Sequence, residues 1–316
     1  MTKPMMTDRG DLRLAPGTVL TGKWHGHRYQ IVRRLGSGAQ GVVYLAYSGG
    51  REIAVKMAKD RASLISEVNV LKKLETLRGE PLGPSLFDSD DWIVNGRPIS
   101  FCAMEYLKGM PLQEALKQKS FDWATVYLVQ LLKHLQRLHE AGCVFGDLKP
   151  ENLMLMNPGY SVRFLDFGGA TKIGRSIREY TAFFDRGYWG LGTRKAEPGY
   201  DLFACGMILI YAALGHRLEK KGQGEGRLFQ IIRTEPLLVP YRPVLARALK
   251  GQYDSADQMR RDLLYRMMEK QKAPAAGKRR NKRRAGAGSG GGWYRAWLAA
   301  SFILTAYVLF VIVYVM

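Results

Sequence analysis

The spacing of apolar positions changes character along this 316-residue chain. Ile53-Ala54-Val55-Lys56 is a β-branched run that ends in lysine. Phe101-Cys102-Ala103-Met104-Glu105-Tyr106-Leu107 is an apolar run entering a short connector, and both runs predict strands. Between them Val68, Leu71 and Leu74 recur at helical spacing, which predicts a helix over about 62–77. Gly79-Glu80-Pro81-Leu82-Gly83-Pro84 then ends that helix. Further on, Leu128, Leu131, Leu132, Leu135 and Leu138 form the apolar stripe of a long helix. Residues 29–105 thus predict a mostly β lobe and residues 106–270 a helical one. Residues 1–28, with Pro4, Gly10, Pro16, Gly17, Gly22 and Gly26, predict a loose lead-in with one early strand.

The pattern changes again at the far end. Residues 296–316 carry no charge and are dense in Leu, Ile, Val and Phe. As a helix they span roughly 30 Å, one bilayer core. Insertion of their large apolar side chains is favourable by on the order of 5 kcal/mol. Trp293, Tyr294 and Trp297 would sit at the headgroup level. Residues 271–292 predict a linker, basic first (Lys278-Arg279-Arg280-Asn281-Lys282-Arg283-Arg284) and then glycine-rich. Basic residues before a span stay on the cytoplasmic side. The expectation is a single-pass protein of the cell membrane, with everything before the span in the cytoplasm and the basic run against anionic lipid.

Composition adds three limits. The formal net charge of +20 invites a nucleic-acid reading, but no aromatic-rich basic face accompanies the basic run, and no nucleic acid is expected as partner. Cys102, Cys143 and Cys205 are odd in number and widely spaced, which suits buried thiols in a reducing cytosol. Five scattered histidines and no Cys-x-x-Cys predict no zinc site. The first thirty residues hold no continuous apolar stretch of the signal-peptide kind.

Chemistry enters with Asp147-Leu148-Lys149-Pro150-Glu151-Asn152, followed fourteen residues later by Asp166-Phe167-Gly168. A carboxylate base, a lysine and two metal ligands stand in the order that phosphoryl transfer from a nucleotide requires. Upstream, Leu35-Gly36-Ser37-Gly38-Ala39-Gln40-Gly41-Val42-Val43 fits G-x-G-x-x-G-x-V, a turn whose glycines let backbone approach phosphates. Lys56 follows Gly41 by fifteen residues, and Glu67 opens the helical stretch. In this order the motifs resemble a eukaryotic-type (Hanks-type) Ser/Thr protein kinase of bacterial style, over roughly residues 29–268.

The resemblance implies an α+β, bilobal protein-kinase-like fold, with the apolar tail adding one transmembrane helix. It implies ATP and Mg2+ as cofactors, with Mn2+ a second candidate, and a protein as substrate. The nucleotide-binding set it implies is Gly36, Gly38, Gly41, Val43, Ala54, Lys56, Met104, Glu105 and Leu107, with Met104 as gatekeeper and residues 101–107 as the hinge. By the same resemblance Lys56 holds phosphates and pairs with Glu67, for which Glu75 is a competitor. Asp147 takes or orients the substrate's hydroxyl proton, Lys149 steadies the transferred group, and Asn152 and Asp166 hold the metal. Asp201 opens a D-x-x-x-x-G helix that braces the catalytic loop.

Three departures stand out. Phe145-Gly146-Asp147 replaces His-Arg-Asp, so the arginine that grips a phosphorylated activation loop is missing. No clear Ala-Pro-Glu closes the activation segment, because Ala196-Glu197-Pro198 lies close to Asp201. The arginine that pairs with that glutamate reads as Gln252, so both partners read as lost together. Two alternatives remain open: a pseudokinase scaffold that binds nucleotide, and a small-molecule phosphotransferase with the same lobes. Thr171, Ser176, Tyr180, Thr181 and Thr193 are candidate autophosphorylation sites.

Overall fold

Strand period two decides which side chains reach the cleft. In the computed structural model, which describes residues 5–6, 12–38, 40–220 and 224–272, Ile53, Val55 and Met57 face one apolar cluster with Phe101 and Ala103. Ala54 faces a second cluster with Cys102, Met104, Leu64 and Val68. Lys56, two residues on from Ala54, shares its face and so points to the side where the helix packs.

The strands carrying these residues run β1 (Met5–Met6), β2 (Leu12–Arg13), β3 (Val19–Thr21), β4 (Arg28–Ser37), β5 (Gly41–Ser48), β6 (Arg51–Ala58), β7 (Leu86–Val94) and β8 (Arg97–Glu105). The first two pair with each other; the other six form one sheet in the order β3-β4-β5-β6-β8-β7. Helix α1 (Arg61–Glu75) connects β6 to β7; Asp60 caps it by accepting from Ser63 N–H at 2.8 Å. Its buried face is Leu64, Glu67, Val68 and Leu71. The lead-in is better ordered than its composition suggests: Val19–Thr21 is an edge strand, and Leu14 and Leu20 are buried in the sheet's core.

The second part holds β9 (Gly109–Pro111), α2 (Leu112–Gln118), α3 (Phe121–Glu140), β10 (Cys143–Val144), β11 (Leu153–Met156), β12 (Val162–Phe164), β13 (Thr171–Lys172), α4 (Arg186–Trp189), α5 (Pro198–Leu214), α6 (Gly224–Thr234), α7 (Arg242–Leu249) and α8 (Ala256–Lys272). The stripe Leu128, Leu131, Leu132, Leu135 and Leu138 is buried on α3. Helix α5 is buried on all sides from Tyr200 to Tyr211, as an interior helix should be. Helix α7 packs on α5 at Gly206, where Ala248 and Leu245 lie nearest. All three cysteines are free and buried.

The chain divides into two units at Met267 and Met268, and the second is described only over the last residues of α8. The glycine-rich linker and the 296–316 segment lie outside the described residues. Among the described residues no helix is long and apolar enough to cross a membrane.

Candidate active site

A cavity of about 500 Å³ opens between the glycine-rich hairpin and the loops after β10 and β12. Gly36, Gly38, Gly41, Val43 and its cross-strand partner Lys56 line the sheet side; Asp147, Lys149, Asn152 and Asp166 line the side of the loops, and Gln40, Glu151 and Glu179 also border the cavity. Gly41 is dictated by the hairpin itself, since a Cβ there would meet the Met57 carbonyl oxygen at 2.1 Å. A Cβ on Gly36 or Gly38 would meet no protein atom within 4 Å. The packing of the chain therefore does not require those two glycines, and what they leave open is ligand space.

Lys56 is the most constrained charge in the cavity. Its Nζ lies 2.7 Å from Glu67 Oε2 and 2.8 Å from Asp166 Oδ1, and it donates to Gln40 Oε1 at 3.0 Å. Burial works against the ammonium, but Asp166 and Glu67 outweigh it and hold its pKa above the ordinary lysine range. Burial pushes Glu67 up, with Lys56 opposing. Burial would raise Asp166 as well; there Lys56 and the Gly168 N–H prevail and the pKa falls. Glu75, the other candidate partner, turns away and accepts from Leu86 N–H at 2.7 Å.

The loop from Phe145 to Asn152 is hung from α5. Fully buried Asp201 accepts from Phe145 N–H at 2.8 Å and Gly146 N–H at 3.0 Å, and lies 2.9 Å from His139 Nε2. Phe145, Phe164 and Phe167 stack with centroids 4.6 to 5.6 Å apart, which fixes the Asp166 turn against the loop. Asp147 emerges with one oxygen 2.5 Å from Lys149 Nζ, while the other accepts from Thr181 Oγ1 at 2.9 Å. Lys149 also donates to Thr181 at 3.0 Å. Asn152 Nδ2 donates to the Asp147 carbonyl at 2.8 Å, which leaves the amide oxygen as the atom able to ligate a cation.

At the other end of the cleft Ala54, Met104 and Leu107 are buried, and none of them lines the cavity; Ala54 and Met104 sit in the adjoining cluster beside Leu35, Val43 and Tyr106. The Glu105 carboxylate is turned out of the cavity into a two-pronged pair with Arg163, both contacts at 2.8 Å. The Glu105 backbone N–H donates to the Ser85 carbonyl at 2.9 Å.

An ion pair braces the activation segment, though not where the resemblance places Ala-Pro-Glu, since Glu197 stands only four residues before Asp201. Arg186, 5% exposed, donates to Glu197 Oε1 at 2.6 Å and to the Thr193 carbonyl at 2.7 Å. Its partner stands eleven residues away along the same segment. The Gln252 carbonyl instead accepts from Arg247, which pairs with Asp262. Buried Asp185 ties the same segment together, accepting from Gly187 N–H, Tyr188 N–H, Arg194 and Tyr200 OH within 3.0 Å. Thr181, read as a candidate modification site, is engaged with Asp147. The sequence reading also missed Gln40, whose amide donates to Glu179 across the cleft mouth.

The comparisons fit this geometry. The protein kinase domain matches residues 29–274. Serine/threonine-protein kinase YabT of Bacillus subtilis is 46% identical over 253 residues, covering 79% of this chain and 75% of that protein. A probable serine/threonine-protein kinase of Corynebacterium efficiens is 28% identical, covering 66% of this chain and 34% of its own. One from Clostridium perfringens is 27% identical, covering 62% and 30%. The chain thus spans about a third of the length of the latter two. With the motifs, the cavity and these matches in agreement, the chain belongs to the protein kinase family, as a serine/threonine kinase of the bacterial Hanks type.

Proposed function

We propose that this chain is a membrane-anchored kinase facing the cytoplasm, which transfers the γ-phosphate of ATP to serine or threonine hydroxyls of a protein. The observation that carries the reading is the convergence of Lys56, Asp147, Lys149, Asn152 and Asp166 on one cavity beneath an open glycine cradle. The family uses ATP and Mg2+, and the donor set fits both: a lysine for phosphate, and a carboxylate and an amide oxygen for a hard cation. A cation held by Asn152 and Asp166 would neutralise charge on the phosphates.

The rest falls to the chain's own groups. Asp147 is placed to accept a hydroxyl proton, with Lys149 and Thr181 fixing both its oxygens. Lys149 Nζ puts positive charge next to the oxygen that the proton leaves. Lys56 is held charged by Glu67 and oriented into the phosphate space. The anchor and its orientation rest on the apolar run at 296–316 and the basic run before it.

The test is transfer of labelled γ-phosphate to a generic basic protein by the full chain in detergent, beside Asp147→Asn. Loss of about 10²–10⁴-fold in the variant is expected. Equal transfer by both proteins, or none by the wild type with ATP still bound, overturns the catalytic reading. Protease protection in vesicles tests the anchor: the part before residue 290 should be cleaved from the cytoplasmic side only.

A further inference from the structure

We propose that His25, His27 and Asp88 form a binding site for one divalent transition metal of the zinc class, at the edge of the six-stranded sheet and outside the residues that line the cavity. His25 and His27 lie in the turn between β3 and β4. Their Nδ1 atoms converge on one carboxylate: His25 Nδ1 is 2.6 Å from Asp88 Oδ1, and His27 Nδ1 is 2.9 Å from Asp88 Oδ2. The three ligand atoms lie within 4.8 Å of one another. Asp90 Oδ2 stands 3.7 Å from His25 Nδ1, in reach as a further oxygen.

With the two imidazoles neutral, charge is what points to a cation. The side chains of Asp88 and Asp90 are 5% and 0% exposed. Buried carboxylates need a compensating charge. Among the described residues no lysine or arginine pairs with either; Arg61 reaches only Asp91, at 3.8 Å. Asp88 takes hydrogen bonds from Tyr29 OH at 2.6 Å and Ser89 N–H at 2.8 Å, and Asp90 from the N–H groups of Trp24, His25 and Asp91. None of these donors brings a fixed charge. The imidazoles are half exposed, so an ion can enter from solvent and keep a water. Two imidazole nitrogens with one or two carboxylate oxygens and a water is a set that suits Zn2+ or Co2+, whereas Mg2+ and Ca2+ prefer oxygen alone.

The placement gives the ion a task. In the sheet order β3 and β7 are the two edges, yet Lys23 N–H donates to the Asp91 carbonyl at 2.8 Å and the 22–27 turn covers Asp90. A Cβ on Gly22 would sit 2.3 Å from Asp90 Oδ2, so the approach depends on glycine. The sheet therefore curls until its edges meet, and the metal would staple them through His25 and His27 on one side and Asp88 on the other. An ion that binds the folded state alone stabilises it by mass action.

The experiment uses the full chain in detergent, stripped with chelator and titrated with Co2+, whose visible absorption reports nitrogen ligation. Asp166→Asn runs alongside, to exclude the active-site cleft as the source. One Co2+ per chain is expected, displaced by Zn2+, retained in Asp166→Asn and lost in His25→Asn/His27→Asn. The asparagines keep a polar partner for Asp88, and nucleotide binding reports that the variant is folded. The melting temperature of the wild type, not of the double variant, should rise with Zn2+. If the double variant fails to fold, Asp88→Asn replaces it with the same expected loss. No stoichiometric Co2+ in the wild type, or equal binding by the histidine variant, overturns the proposal.

Discussion

Thr181 Oγ1 donates to Asp147 Oδ1 across 2.9 Å while accepting from Lys149, so one hydroxyl of the activation segment sets the base and its lysine relative to each other. The link joins the segment's order to the readiness of the base without any phosphate. Thr181→Val should lower kcat about ten-fold or more, the worth of a hydrogen bond to a charged group. Thr181→Ser should keep most of the rate. Steady-state kinetics decide it: an unchanged kcat in the valine variant would remove Thr181 from the positioning role.

Gln40 crosses the cavity mouth to Glu179 and also accepts from Lys56. Its side chain fills the space over Gly168, where an added Cβ would overlap it. A nucleotide entering the phosphate space must part these contacts. Gln40→Ala should therefore lower KM for ATP, by up to about five-fold for roughly one hydrogen bond released. Isothermal titration with a non-hydrolysable analogue should show the corresponding gain in affinity. Weaker binding would show that Gln40 assists the nucleotide instead.

The pair between Glu105 and Arg163 fastens the end of β8 to β12. Burial alone would raise the Glu105 pKa, but Arg163 and the Ser85 N–H more than offset it, and the pKa is lowered. A carboxylate lowered on folding adds stability above its unfolded pKa and loses it as pH falls through the folded one. Urea midpoints of the wild type should fall through the acid range, and Glu105→Gln should show a flatter acid limb. At neutral pH the variant should be less stable by about 1–2 kcal/mol. Parallel curves would contradict the pairing.

Arg186 and Glu197 hold the two ends of the segment that follows Thr181. Arg186 is buried and also serves backbone carbonyls, whereas the Glu197 side chain is 41% exposed. Glu197→Ala leaves the buried Arg186 charge without its partner and should cost about 3–5 kcal/mol, whereas Arg186→Ala leaves the half-exposed Glu197 and two freed carbonyls and should cost about 1–3 kcal/mol. A double-mutant cycle should show coupling of about 0.5–3 kcal/mol. Additive losses would mean that the pair is incidental.

The sequence disclosed the groups whose spacing is local and fixed. Asp147, Lys149 and Asn152 share one loop, Asp166 follows within a short hairpin, and Lys56 is set by strand period. The sequence favours Glu67 over Glu75, and the packing of α1 buries Glu67 against Lys56 and turns Glu75 to Leu86. What stayed hidden depends on contacts between distant segments. Gln40 meets Glu179 across 139 residues, and His25 meets Asp88 across 63. No periodicity records such meetings. The histidines looked scattered because their third partner sits on another strand, and Arg186 meets Glu197 through an irregular segment whose path no period announces.

Gly146 stands where the resemblance expects arginine, at φ +86° and with its Cβ position 2.6 Å from the Gly169 carbonyl oxygen. The substitution is thus written into the backbone path and not only into the side chain. An engineer who wished to place this enzyme under the control of a phosphorylated activation loop could not do so by restoring one residue. The loops at 146 and 169 would have to be rebuilt together, so the two backbones hold each other in place against any single substitution at 146.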